Sequence, residues 1–127
     1  MYCDKQGIKY IHGIECYITF NESEKIRDNY HTILIAKNYS GVREINKLVS
    51  TAFSPSHFYY KLRITISEFF NISGNVIKIC ACLASPLSYR NDIDLDIYDK
   101  LCNHYDYYEI QPHINSESQK QYNLYLL

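Results

Sequence analysis

The sequence predicts an α/β fold with a largely parallel sheet, on three observations. Residues 32–36 and 76–84 are near-continuous apolar runs bounded by polar residues, the pattern of strands buried on both faces. Residues 42–52 place Val42, Ile45, Val49 and Ala52, with Leu48, at the spacing of one apolar helical face. Segments of the two kinds alternate along the chain, the order of a sheet whose parallel strands are joined by helices.

The first strand falls within residues 8–20, which are rich in β-branched and aromatic residues and broken at Gly13. Polar residues 21–29 read as a loop, and residues 32–36 as the next strand. Ser40 is a suitable N-cap for the helix that follows, with Arg43 and Lys47 facing water and an end near Phe53, where Ser54, Pro55 and Ser56 stop it. Thr65 with Glu68 three residues on predicts a capping box for a short helix through Phe70. A turn at residues 71–74 leads into the strand at residues 76–80, which Ser85 and Pro86 close off. Asp94 or Asp96 opens a helix containing Ile97 and Leu101. Residues 107–111 read as a strand, and Ser116 caps a last helix carrying Tyr122, Leu124 and Leu127.

The 127 residues make one domain or part of one. With 46% apolar residues, 14 tyrosines and no tryptophan, the core should hold many half-buried rings with wet hydroxyls. No apolar run follows Met1 and none is long enough to span a bilayer, so a cytoplasmic location without a membrane partner is expected. The five cysteines form no Cys-x-x-Cys pair, and Cys80 and Cys82 are too close for an unstrained disulfide, so free thiols are expected. A net charge of −1 argues against a general nucleic-acid binder. The charge is uneven, however: Lys37, Arg43, Lys47, Lys61, Arg63 and Lys78 face only Glu44 and Glu68 over residues 37–78, whereas the last third is acidic.

In α/β sheets, chemistry collects at the carboxyl ends of strands and in the loops after them. The candidates there are Glu15, His31, Cys80 or Cys82, Glu109 and His113. Imidazole, carboxylate and thiolate together suit Zn²⁺, and imidazole with carboxylates suits Mn²⁺ or Fe²⁺. The spacings alone do not select among these residues.

Residues 30–63, with their buried strand, Ser40–Gly41 turn, amphipathic helix and Lys61-Leu62-Arg63 loop, closely resemble the PHP (polymerase and histidinol phosphatase) domain found at the front of the bacterial DNA polymerase III alpha subunit. Gly13-Ile14-Glu15 resembles the family's Gly-x-Glu strand, whose glutamate binds metal, although Tyr10 and His12 stand where the family has proline and isoleucine. His31 matches a metal-binding histidine. Cys82, within Ala81-Cys82-Leu83-Ala84, matches the family cysteine, with Cys80 and Ser85 replacing its serine and glycine. Residues 108–113 resemble the Glu-Leu-Gln strand, which makes Glu109, Gln111 and His113 site-lining residues. Lys61 and Arg63 match a basic loop that would touch DNA phosphate, with Leu62 in place of the family's proline.

The resemblance implies a partial (β/α) barrel over residues 1–127 and an ancestral metal-dependent phosphoesterase or 3′–5′ exonuclease. The family's His-x-His and Asp-x-His motifs do not occur in the sequence. Glu15, His31 and Cys82 are then the remaining metal ligands. No catalytic residue and no firm cofactor are expected, only a vestigial Zn²⁺ or Mn²⁺ position. A truncated domain, inactive on its own, is the first expectation, with DNA or a replication protein as partner. The alternative is a phage-type protein-binding or inhibitor module that reuses the remnant against a host protein. In either case self-association or a partner should cover the open sheet edges.

Overall fold

The computed structural model describes residues 2–21, 29–112 and 116–127, and in it the predicted strands lie in one five-stranded sheet. The elements in chain order are α1 (Tyr2–Lys5), β1 (Gly13–Thr19), β2 (Tyr30–Ala36), α2 (Tyr39–Ala52), β3 (Arg63–Thr65), α3 (Ile66–Phe70), β4 (Val76–Cys80), a 3₁₀ helix (Pro86–Asp92), α4 (Leu95–His104), β5 (Tyr107–Tyr108) and α5 (Glu117–Leu126). The strand order is β3-β1-β2-β4-β5. β1, β3, β4 and β5 run one way, while β2 is antiparallel to both of its neighbours.

The direction of one strand departs from the expectation. β2 was expected in a parallel arrangement, yet it reverses against β1. A parallel connection needs a crossover of a dozen or more residues, usually a helix, and residues 20–29 are too few and too polar to supply one. The sheet is open, with β3 and β5 as its edges among the described residues.

Period-two alternation gives the sheet two unlike faces. Cys16, Ile18, Leu34, Val76 and Cys80 point to one side and are buried there with Ile45 and Ala52 of α2, Phe69 of α3, Leu101 of α4 and Tyr122 of α5. The opposite face carries Glu15, Tyr17, His31, Ile33 and Ile79, exposed or half-buried.

The helix ends follow side-chain chemistry. Asn38, not Ser40, caps α2: its Oδ1 accepts the Gly41 N–H at 3.0 Å. Gly41 is required at that turn, because a Cβ there would lie 2.3 Å from the Asn75 carbonyl oxygen. The capping box at Thr65 and Glu68 is present, and Asp94 and Ser116 cap α4 and α5. Tyr122 is buried, whereas Leu124 and Leu127 of the same C-terminal segment are exposed. β5 stops at Tyr108, two residues into the expected strand, although the Glu109 N–H still donates to the Cys80 carbonyl at 2.9 Å.

The core contains polar pairs. Lys78, 5% exposed, lies on the helix-covered face with its Nζ 3.0 Å from Asp106, whose Oδ2 also accepts the Lys78 N–H at 2.8 Å. The Tyr122 hydroxyl meets Ser85 at 2.6 Å and Cys80 at 3.1 Å, and the Thr32 hydroxyl meets that of Tyr105 at 2.7 Å. Burial pushes the Cys80 thiol up, so it sits in the core as a neutral group. All five cysteines are free.

Candidate functional site

His31 is the second residue of β2, directly opposite Tyr17 in the register, and Glu15 is two residues back along β1 on the same face. That diagonal lets a long side chain bridge the strands. The Glu15 carboxylate lies 2.8 Å from His31 Nδ1. Cys82 arrives from another direction. It follows the end of β4, and the His31 N–H donates to the Ala84 carbonyl at 2.9 Å, which holds the 82–84 turn beside β2. The Cys82 sulfur is then 3.7 Å from the same Nδ1.

All three residues singled out as ligands therefore meet at one ring nitrogen. Two ligands of a tetrahedral Zn²⁺, each about 2.0–2.3 Å from the ion, stand about 3.3–3.8 Å apart. The sulfur–nitrogen separation suits that geometry, whereas the carboxylate–imidazole separation is that of a charge-assisted hydrogen bond. As placed, Glu15 orients His31 rather than sharing an ion with it. Among the described residues, no group of three His, Cys, Asp or Glu side chains is arranged to hold a metal ion.

Tyr17 is a further member of the site. Its ring stands edge-on to His31, with centroids 5.0 Å apart, and Lys61 Nζ lies 5.2 Å from its centroid. The signal for Tyr17 was its place two residues after Glu15, on the same face of a strand.

The basic loop divides in two. Lys61 is exposed, as a phosphate contact requires. Arg63 is 2% exposed, which corrects its assignment to DNA phosphate. Its Nε donates to the His57 carbonyl at 3.0 Å, and its guanidinium lies 5.5 Å from the Tyr59 ring centroid. Arg63 thus anchors the loop from beneath. His57, buried in the same loop, is a further member of this region that no sequence pattern marks. Its Nδ1 is 2.9 Å from both the Ser54 and the Ser56 hydroxyl, and its Nε2 is 3.1 Å from Glu68 Oε2. That contact ties the loop to the α3 capping box, where Glu68 Oε2 also accepts the Thr65 N–H at 2.9 Å. A histidine following Ser54-Pro55-Ser56 has no distinguishing sequence signal.

Glu109 and Gln111 bond to each other, the Gln111 amide donating to the Glu109 carboxylate. The Gln111 carbonyl accepts from Asn123 of α5 at 2.9 Å. His113 lies outside the described residues. No described helix is long and apolar enough to cross a membrane.

A family model described as PHP domain matches residues 1–124. The DNA polymerase III subunit alpha of Chlamydia pneumoniae is 36% identical over 92 residues, covering 68% of this chain and 7% of that protein. The subunit of the same name from Aquifex aeolicus is 33% identical over 100 residues, covering 70% of this chain and 8% of its own length. A DNA polymerase III PolC-type from Pediococcus pentosaceus is 31% identical over 114 residues, covering 86% of this chain and 8% of that protein. The chain thus spans less than a tenth of the length of these relatives.

Proposed function

This chain belongs to the PHP domain family, related to the DNA polymerase III alpha subunit, and we propose that it is a catalytically incomplete unit with one residual metal-binding position. The observation that carries this reading is that Glu15 and Cys82 both converge on His31 Nδ1, at 2.8 and 3.7 Å. A phosphoesterase metal site needs donors around a shared point, with a position left open for water. Here the donors satisfy one another. Drawing Glu15 back by about 0.6 Å would bring the carboxylate–imidazole separation into the range for two ligands of one ion. The donor chemistry therefore supports weak uptake of a single Zn²⁺ or Mn²⁺, and Lys61 is the side chain that would meet phosphate.

Metal content measured on purified protein, followed by a single-stranded DNA degradation assay with added Mn²⁺ or Zn²⁺, tests this reading. Substoichiometric metal and no turnover are expected. Stoichiometric metal with turnover abolished by His31→Ala would overturn it. A second reading, a protein-binding module without catalysis, is favoured by the open sheet edge at β5, where Tyr107 and Ile110 are exposed. A metal-free, inert protein that forms a defined complex or oligomer would select it.

A further inference from the structure

β3 pairs with β1 only from Tyr17 to Thr19, so residues 13–16 have no strand on their outer side among the described residues. That gap opens into a cavity of about 350 Å³ between the sheet and α2. Its size lies at the lower end of small-ligand sites. Leu34 and Cys16 of the sheet and Leu48 of α2 line it, with Phe58 and Lys61 from the basic loop. Most of the lining is apolar. Apart from Glu15 and Lys61 the lining carries no charged side chain, and that apolar part favours a flat apolar ring over an ion.

The cavity is joined to the site already described. Glu15 lines the cavity and is also the residue bonded to His31. Lys61 lines it too, and its ammonium stands over Tyr17, the ring next to His31. The loop itself is strained: Tyr60, exposed and also lining the cavity, holds φ at 56°, an uncommon conformation for a bulky residue and one that clusters at ligand clamps. A ligand matching these features has a planar apolar part and an anionic part within reach of Lys61. The Glu15 charge opposes an anion at the opening, but it is partly drawn off by His31.

We propose that this cavity receives the base of a nucleotide, with Lys61 on its phosphate, which brings that phosphate toward Glu15, His31 and Cys82. The choice of a nucleotide over other apolar anions rests on the polymerase-related reading of the chain; the cavity and its lysine stand on geometry alone.

The test is an amide chemical-shift titration of the full chain in EDTA, so that neither metal nor turnover enters. The ligands are dTMP, deoxyribose 5-phosphate, phenyl phosphate and inorganic phosphate. Binding of dTMP about tenfold tighter than deoxyribose 5-phosphate is expected, the scale of base–aromatic stacking, with shifts at Leu34, Leu48 and Phe58. Lys61→Gln should weaken dTMP severalfold. Ala52→Leu, which adds volume to the cavity wall, should weaken dTMP while leaving inorganic phosphate binding unchanged. Equal affinity for dTMP and deoxyribose 5-phosphate, or indifference to both substitutions, would overturn the proposal. Phenyl phosphate binding as tightly as dTMP would overturn the nucleotide assignment. A chain that degrades DNA with metal yet fails this titration would remove the cavity proposal alone. A chain that passes it without metal or turnover supports both readings.

Discussion

Ile33 and Leu34 are neighbours in β2, yet they belong to two different molecules in physical terms. Leu34 is 0% exposed under α2, among Cys16, Ile18 and Val76. Ile33 shares its half-buried face with His31 and Glu15. One face carries the packing that holds the fold, and the other carries the polar cluster and leaves it within reach of solvent. The same strands therefore serve stability and site through alternate residues, so substitutions one position apart should differ in kind.

The largest effect expected is from Leu34→Asp. An unpaired carboxylate on the closed face should cost more than about 4 kcal/mol, a large part of the stability of an ordinary domain. Ile33→Asp should cost less than half as much, because its side chain can reach water. Chemical denaturation of the two variants, read by circular dichroism, is the measurement. Equal losses would mean that the two faces are equally buried and that the contrast between them is false.

The ion pair of Lys78 and Asp106 sharpens the comparison from the closed side, since it places a charge where the alternation demands an apolar residue. Asp106→Asn would leave Lys78 buried without its counter-charge. The cost should be about 1–3 kcal/mol at neutral pH, discounted from a fully buried pair because Asp106 is one-third exposed (34%). Burial alone would raise the Asp106 carboxyl, but hydrogen bonds from the Lys78 backbone and side chain, with the Lys78 charge, outweigh it and hold the group below the usual carboxylate range. The unfolded chain therefore binds the extra proton first as pH falls. The stabilisation is fully present above the ordinary carboxylate range and is lost as pH drops through the lowered folded value. Acid titration of the melting temperature should show this loss in the unsubstituted protein and a flatter profile in Asp106→Asn. Parallel profiles would mean that Lys78 is satisfied without Asp106.

The closed face was the more legible of the two. Apolar periodicity located β1, β2, β4 and α2, and cap chemistry located α3, α4 and α5, because both signals are local in sequence. What escaped depended on distant partners. β3 has three residues, too few to show a period. Lys78 reads as a surface cation until Asp106 is seen beside it. Arg63 reads as a loop cation until its hydrogen bond to the His57 carbonyl turns it inward. The direction of β2 could have been read, since polar residues 20–29 leave no room for a crossover. On the open face, residue types and family pattern singled out Glu15, His31 and Cys82. Only coordinates could show that all three meet at one nitrogen instead of surrounding a common point.

The smallest effect on stability is expected at that cluster. Glu15 is 51% exposed and His31 30% exposed, so their pair is screened by water and should contribute about 0.2–1 kcal/mol. Glu15→Gln keeps the length of the side chain and an oxygen for the His31 N–H, and should change the denaturation midpoint by no more than that contribution. His31→Ala should do little more, since the Tyr17 ring loses an edge contact but no core packing. If either substitution instead cost as much as Ile33→Asp, Glu15 and His31 would be part of what holds β1 to β2, and their convergence would be explained by stability alone. If both are small, as expected, the cluster is dispensable to the fold. An arrangement of carboxylate, imidazole and thiol that the fold does not need then has to be accounted for by binding.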